Sequence, residues 1–89
     1  MRAVISVMGI DCTGIIAKVS GCLYKHGVNI LDINQTIMQN IFTMVMLVEF
    51  PEGSAEYNNV MSELDEIGKE IGVDIRMQHE DIFNSMHRI

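Results

Sequence analysis

The segment Gly9-Ile10-Asp11-Cys12-Thr13-Gly14 sets a carboxylate, a thiol and a hydroxyl between two glycines, just before an amphipathic stretch. Where such a loop opens a helix, the free N–H groups of the first turn bind a carboxylate, and Gly14 lets a ligand come close to the backbone. Asp11 beside it offers a partner for an ammonium group. Asp11, Cys12, Thr13, Gly14 and Ile15 together therefore suit a zwitterion such as a free amino acid. The amide of Asn29, read as starting the second strand at the same end of the sheet as this loop, would complete the site. The plain alternative is structural, with Asp11 or Thr13 capping the helix, Gly14 allowing close packing and Asn29 turning the chain in the left-handed region.

Other chemistries find little support. Cys12 near a helix N-terminus is the residue a thiol enzyme would activate, but it has no histidine or resolving cysteine near it in sequence and reads as a small loop residue. Cys22 falls on an apolar stripe and reads as core. His79, Glu80, Asp81 and His87 do not follow a standard metal-ligand spacing and read as solvated residues of the tail. There is no nucleophile–base pair, phosphate loop or carboxylate dyad. Neither an enzyme nor a metal or other cofactor is expected. The 8 methionines point instead to adaptable packing.

The chain has 89 residues, 48% of them apolar and 20% charged, which suits one small globular domain. With 6 Lys+Arg against 12 Asp+Glu the net charge is −6, which repels nucleic-acid phosphates and anionic lipid. No apolar run approaches the ~18 residues of a membrane span, and the first residues lack the apolar core and cleavage site of a secretion signal. Two cysteines do not make a disulfide framework. A cytoplasmic location with reduced thiols is expected.

The elements that must position these residues follow from periodicity. Arg2 to Met8 is short and β-branched and reads as a strand stopped by Gly9. From Gly14 the residues Ile15, Ile16, Val19, Cys22, Leu23 and His26 form a helical stripe, ended by Gly27 in the left-handed region. Asn29 to Met38 alternates, with Leu31, Ile33 and Ile37 on one face of a second strand. Gln39-Asn40 makes a tight hairpin to a third strand, Phe42 to Phe50. Ser54 is the N-cap expected for a second helix over about Ala55 to Ile71, whose stripe is Tyr57, Val60, Met61, Leu64, Ile67 and Ile71. Its glutamates Glu56, Glu63, Glu66 and Glu70 face water. Gly72 leads into a fourth strand, Val73 to Gln78. Ile82, Phe83, Met86 and Ile89 share one face of a short C-terminal helix.

Strand, helix, strand, strand, helix, strand, with right-handed crossovers, gives an α+β ferredoxin-like βαββαβ sandwich. Its four-stranded antiparallel sheet has the order 4-1-3-2, with two helices on one face. The third strand is apolar on both faces, since Val45 and Leu47 oppose the row Phe42, Met44, Met46, Val48 and Phe50. The open side of the sheet therefore needs a cover, from the C-terminal helix, a second copy of the chain, or both.

Unrelated functions use this fold, so the site must choose among them. An RNA-recognition module would carry a basic, aromatic third strand, whereas FTMVMLVEF has neither Lys nor Arg. A soft-metal carrier would have Cys-x-x-Cys in the first loop, and a phosphate-ester hydrolase an Arg there; GIDCTG has neither. The stretch GIDCTGIIAKVSGCLYKHGVNILDINQT resembles the opening of an ACT domain, the small-molecule-binding regulatory module of amino-acid metabolism. Asp11, Gly14, the pair Ile15-Ile16 and Asn29-Ile30 match the family pattern in turn. The position before the glycine, Pro in many ligand-binding members, is Thr13. The resemblance covers residues 2–78, leaves 79–89 as a helical tail, and is nearest to stand-alone ACT proteins similar to regulators of glycine cleavage. It implies a homodimer that binds an amino acid at its interface, through Asp11, Cys12, Thr13, Gly14, Ile15 and Asn29, and modulates a protein partner. A ligand-free interaction module of the same fold is the alternative.

Overall fold

β-Branched and apolar residues alternate along the strands, and the computed structural model, which describes residues 1–10 and 14–81, folds them as that pattern predicts. The elements are β1 (Arg2–Ile10), α1 (Ile15–Lys25), β2 (Asn29–Met38), β3 (Ile41–Glu49), α2 (Tyr57–Ile71) and β4 (Val73–His79). Neighbouring strands are antiparallel, in the order β2-β3-β1-β4, which is the expected 4-1-3-2 read from the other edge. Beyond Glu80 and Asp81, which begin a helical turn, the expected C-terminal helix lies outside the described residues.

One face of the sheet carries the core. Ala3, Ile5 and Val7 of β1 and Phe42, Met44, Met46 and Val48 of β3 are buried against Ile15, Val19, Cys22 and Leu23 of α1 and Val60 and Leu64 of α2. The hairpin forms at Gln39-Asn40, with φ values of 48° and 75°, the two positive φ angles of a type I′ turn. Helix α1 ends as expected at Gly27 (φ 72°), where the N–H of Val28 donates to the carbonyl of Leu23 and that of Gly27 to the carbonyl of Tyr24, a Schellman motif.

Several boundaries differ from the sequence-based expectation, each for a local reason. Gly9 does not stop β1 but lies inside it, paired with Phe42 and Val73; a Cβ there would meet Val73 Cγ1 at 2.7 Å. Glycine is thus required by a close approach of β4. Helix α2 begins at Tyr57, not Ala55, and its N-cap position is Glu56; the Ser54 hydroxyl accepts a bond from the Glu56 N–H at 3.2 Å, just ahead of the helix. Ile16 and Met61, placed on the helical stripes, are exposed. In β2 a register shift between Ile30 and Asp32 sets Ile30 and Ile33 opposite the core residues Val48 and Met46, so Ile30 takes the place expected of Leu31.

The opposite face of the sheet is less well covered. Val4 is buried and Leu47 half-buried on the opposite side, but further along that side Ile41 stands between Ile10 and Met38, and all three are exposed. Edge strand β2 is also exposed along almost its whole length, including Ile33 and Ile37.

Candidate functional site

Gly14 is the N-cap of α1 and adopts φ 93°, ψ 0°, a left-handed conformation that L side chains rarely take. Its carbonyl accepts the N–H of Lys18 at 2.9 Å, which starts the helical ladder. Among the described residues no side chain caps this end, and the first turn holds no acidic residue. The leading N–H groups of α1 therefore lack intrahelical acceptors, and the helix dipole adds positive potential there. A Cβ built on Gly14 would meet no atom of the described residues within 4 Å, so among them Gly14 serves backbone conformation and not close packing. Ile15, the first residue of α1, buries its side chain in the core. Asp11, Cys12 and Thr13 lie outside the described residues.

Asn29 is not at this end. It pairs with Glu49, which also pairs with Arg2, whereas the loop to Gly14 leaves β1 beyond Ile10, opposite Ile41. A helical crossover returns the chain to the starting end of the sheet, so β1 and β2 begin at the same end, on either side of β3. The expectation that Asn29 starts the second strand at the same end of the sheet as the first loop is corrected. Asn29 instead borders an exposed groove between α1 and β2, with Ala17, Ser20, Tyr24 and Ile30.

A polar cluster at the opposite end of α1 escaped sequence reasoning, which set Glu56 and Glu63 in water. His26 Nδ1 lies 3.0 Å from Glu56 Oε1 and His26 Nε2 lies 3.0 Å from Glu63 Oε1. Carboxylates only accept, so the imidazolium, with two N–H donors, satisfies both contacts. Glu56 first, then Glu63, raises the His26 pKa above its ordinary value. Lys25 Nζ reaches Glu63 at 2.8 Å, and Lys25 and His26 together hold its carboxyl down to about 2. Burial, followed by the Glu63 charge, pushes the Cys22 thiol up to about 11. An apolar stripe that ends in His26 is the one signal in sequence; the pairing depends on how α1 docks on α2.

A split βαβ sandwich with two helices on one face of a four-stranded antiparallel sheet defines the fold class as ferredoxin-like. Residues 2–78 match the ACT domain family, and the chain belongs to it. A UPF0237 protein of Clostridium acetobutylicum is 52% identical over 89 residues, covering 100% of each chain. A UPF0237 protein of Methanocaldococcus jannaschii is 49% identical over 88 residues, covering 99% of this chain and 98% of that one. Among solved structures, an ACT domain protein from Streptococcus pneumoniae superposes with a TM-score of 0.80 at 37% identity, covering 93% of both chains. A candidate glycine cleavage system transcriptional repressor gives 0.76 at 26% identity, covering 86% of this chain and 44% of that one. The family is regulatory, not catalytic. Among the described residues no helix is long and apolar enough to cross a membrane.

Proposed function

We propose that this chain is a homodimeric sensor of a free amino acid that passes its state to a protein partner in the cytoplasm. The observation that carries the reading is the N-terminus of α1, with Gly14 in the left-handed region and, among the described residues, no side-chain cap and no atom within 4 Å of the place a Cβ would take. In this reading the ligand carboxylate sits on the backbone from Cys12 to Ile15 and its ammonium group near Asp11. The ligand-binding habit of the ACT family and the similarity to a candidate glycine cleavage repressor support an amino acid as the ligand.

The place of Asn29 favours a site shared between copies. If two β2 edges pair antiparallel about a two-fold axis, the partner's Asn29 arrives beside Met38, at the end of the sheet where the first loop emerges. Exposed apolar residues on both contributing elements, Ile16 and Tyr24 on α1 and Ile33 and Ile37 on β2, support that face as the interface. Ligand binding then favours one dimeric or partner-bound state through its differential affinity for the two.

A thermal-shift screen of the common amino acids, followed by calorimetry on any that raise the melting temperature, tests the reading. One amino acid is expected to bind, with about a tenfold or greater loss of affinity in Asp11→Asn, which removes a charge-assisted contact. No binding at millimolar concentration would favour the interaction module, and unchanged affinity in Asp11→Asn would remove the role given to Asp11.

A further inference from the structure

The cluster at the C-terminal end of α1 takes no part in the candidate ligand site, and its donor set is that of a metal centre. We propose that Cys22, His26 and Glu63 bind a thiophilic divalent cation of the zinc class at the seam between α1 and α2. Cys22 and His26 are one helical turn apart and present their donors on the same face, while Glu63 comes across from α2. One ligand atom from each residue lies within 4.8 Å of the other two. Tetrahedral zinc, with bonds of about 2.0–2.3 Å, needs its ligand atoms roughly 3.3–3.7 Å apart. The edge from His26 Nε2 to Glu63 Oε1 is 3.0 Å and no edge of the three exceeds 4.8 Å, so the donors close on an ion by side-chain movements of about 1 Å.

The surroundings support the same reading. A metal-bound histidine characteristically donates its other ring N–H to a carboxylate, which fixes the ring and its tautomer. His26 Nδ1 already faces Glu56 Oε1 at 3.0 Å, which turns Nε2 toward Glu63. Thiolate plus carboxylate neutralise a dication once the exposed Lys25 ammonium, 2.8 Å from the same Glu63 Oε1, swings into solvent, and the soft sulfur selects zinc, cobalt or cadmium over magnesium and calcium. Cys22 is buried, but the side chains of His26 and Glu63 are 15% and 28% exposed, which leaves a way in and a fourth position for water. Binding releases the Cys22 thiol proton and the proton His26 Nε2 shares with Glu63; the cation takes the place of that shared proton. It would cross-link α1 to α2.

The test is titration of the reduced, metal-free full chain with Co²⁺. One ion per chain is expected, with a thiolate-to-cobalt charge-transfer absorption that Zn²⁺ bleaches. The absorption should survive Cys12→Ser and vanish in Cys22→Ser, with circular dichroism confirming that the variants are folded. His26→Ala and Glu63→Gln, altered at half-buried positions, should each weaken Co²⁺ binding about tenfold or more. A folded native chain without the absorption at millimolar Co²⁺, an absorption that follows Cys12 and not Cys22, or unchanged affinity in both His26→Ala and Glu63→Gln would overturn the proposal.

Discussion

Asn29 and Gly14 lie at opposite ends of one sheet: Asn29 is level with Arg2, and Gly14 follows the far end of the same β1 strand. The nine residues of β1 separate the two ends by roughly 26 Å at about 3.3 Å per step. No side-chain rearrangement spans that distance. A site that uses both residues is therefore assembled from two chains.

The first prediction concerns assembly. Sedimentation equilibrium at micromolar concentration should find a dimer, and Ile37→Lys, which puts a charge on the exposed β2 edge, should shift it to monomer without unfolding it. A native chain that is monomeric throughout would contradict the assembly.

The His26 cluster gives a pH dependence. In metal-free protein the raised His26 pKa contributes stability that is full below the ordinary value of 6.5 and is lost as pH rises through the raised value. The depressed Glu63 pKa contributes stability that is full above 4.5 and is lost as pH falls toward about 2. The groups facing His26, namely Glu56, Glu63, Lys25 and Cys22, thus make the α1–α2 seam tightest between about pH 4.5 and 6.5. Thermal melts should show the difference between native chain and His26→Gln greatest in that window and smaller on both sides. A difference independent of pH would show that His26 acts by packing alone.

Gly68 tests close packing. A Cβ there would meet the carbonyl oxygen of Val73 at 2.7 Å, so α2 can approach β4 only with glycine at this position. Gly68→Ala should destabilise by about 1–3 kcal/mol in denaturant melts, despite the better helix propensity of alanine. A stabilised variant would mean that α2 shifts freely.

Gln39 tests the hairpin. At φ 48° it holds a conformation that asparagine tolerates better, so Gln39→Asn should stabilise by about 0.4–1 kcal/mol, read from the same melts. A loss of stability would contradict the type I′ assignment.

What the sequence made legible and what it did not divide along physical lines. The hairpin at Gln39-Asn40, the Schellman end at Gly27 and the alternation of β3 are local patterns, and each stands where periodicity put it. Gly9 and Gly68 were misread or passed over, because the reason for each is Val73, distant in sequence and near in space. The His26–Glu56–Glu63 contacts depend on the docking of α1 on α2, which no single-helix pattern encodes. The position of Asn29 was within reach: a strand–helix–strand crossover makes β1 and β2 parallel, which puts the start of β2 level with the start of β1 and far from the loop that leaves its end.

Complementation between two defective chains tests the central claim, a site shared across the dimer, most directly. Asp11→Asn and Asn29→Ala should each weaken the amino acid identified by the thermal-shift screen, as homodimers, by about tenfold or more. Mixed in equal amounts and allowed to exchange, they should regain native-affinity binding at about one quarter of the sites. Random pairing makes half of the dimers mixed, and each mixed dimer holds one intact site of its two. Calorimetry that recovers this fraction supports the shared site; no recovery, with subunit exchange verified, would contradict it.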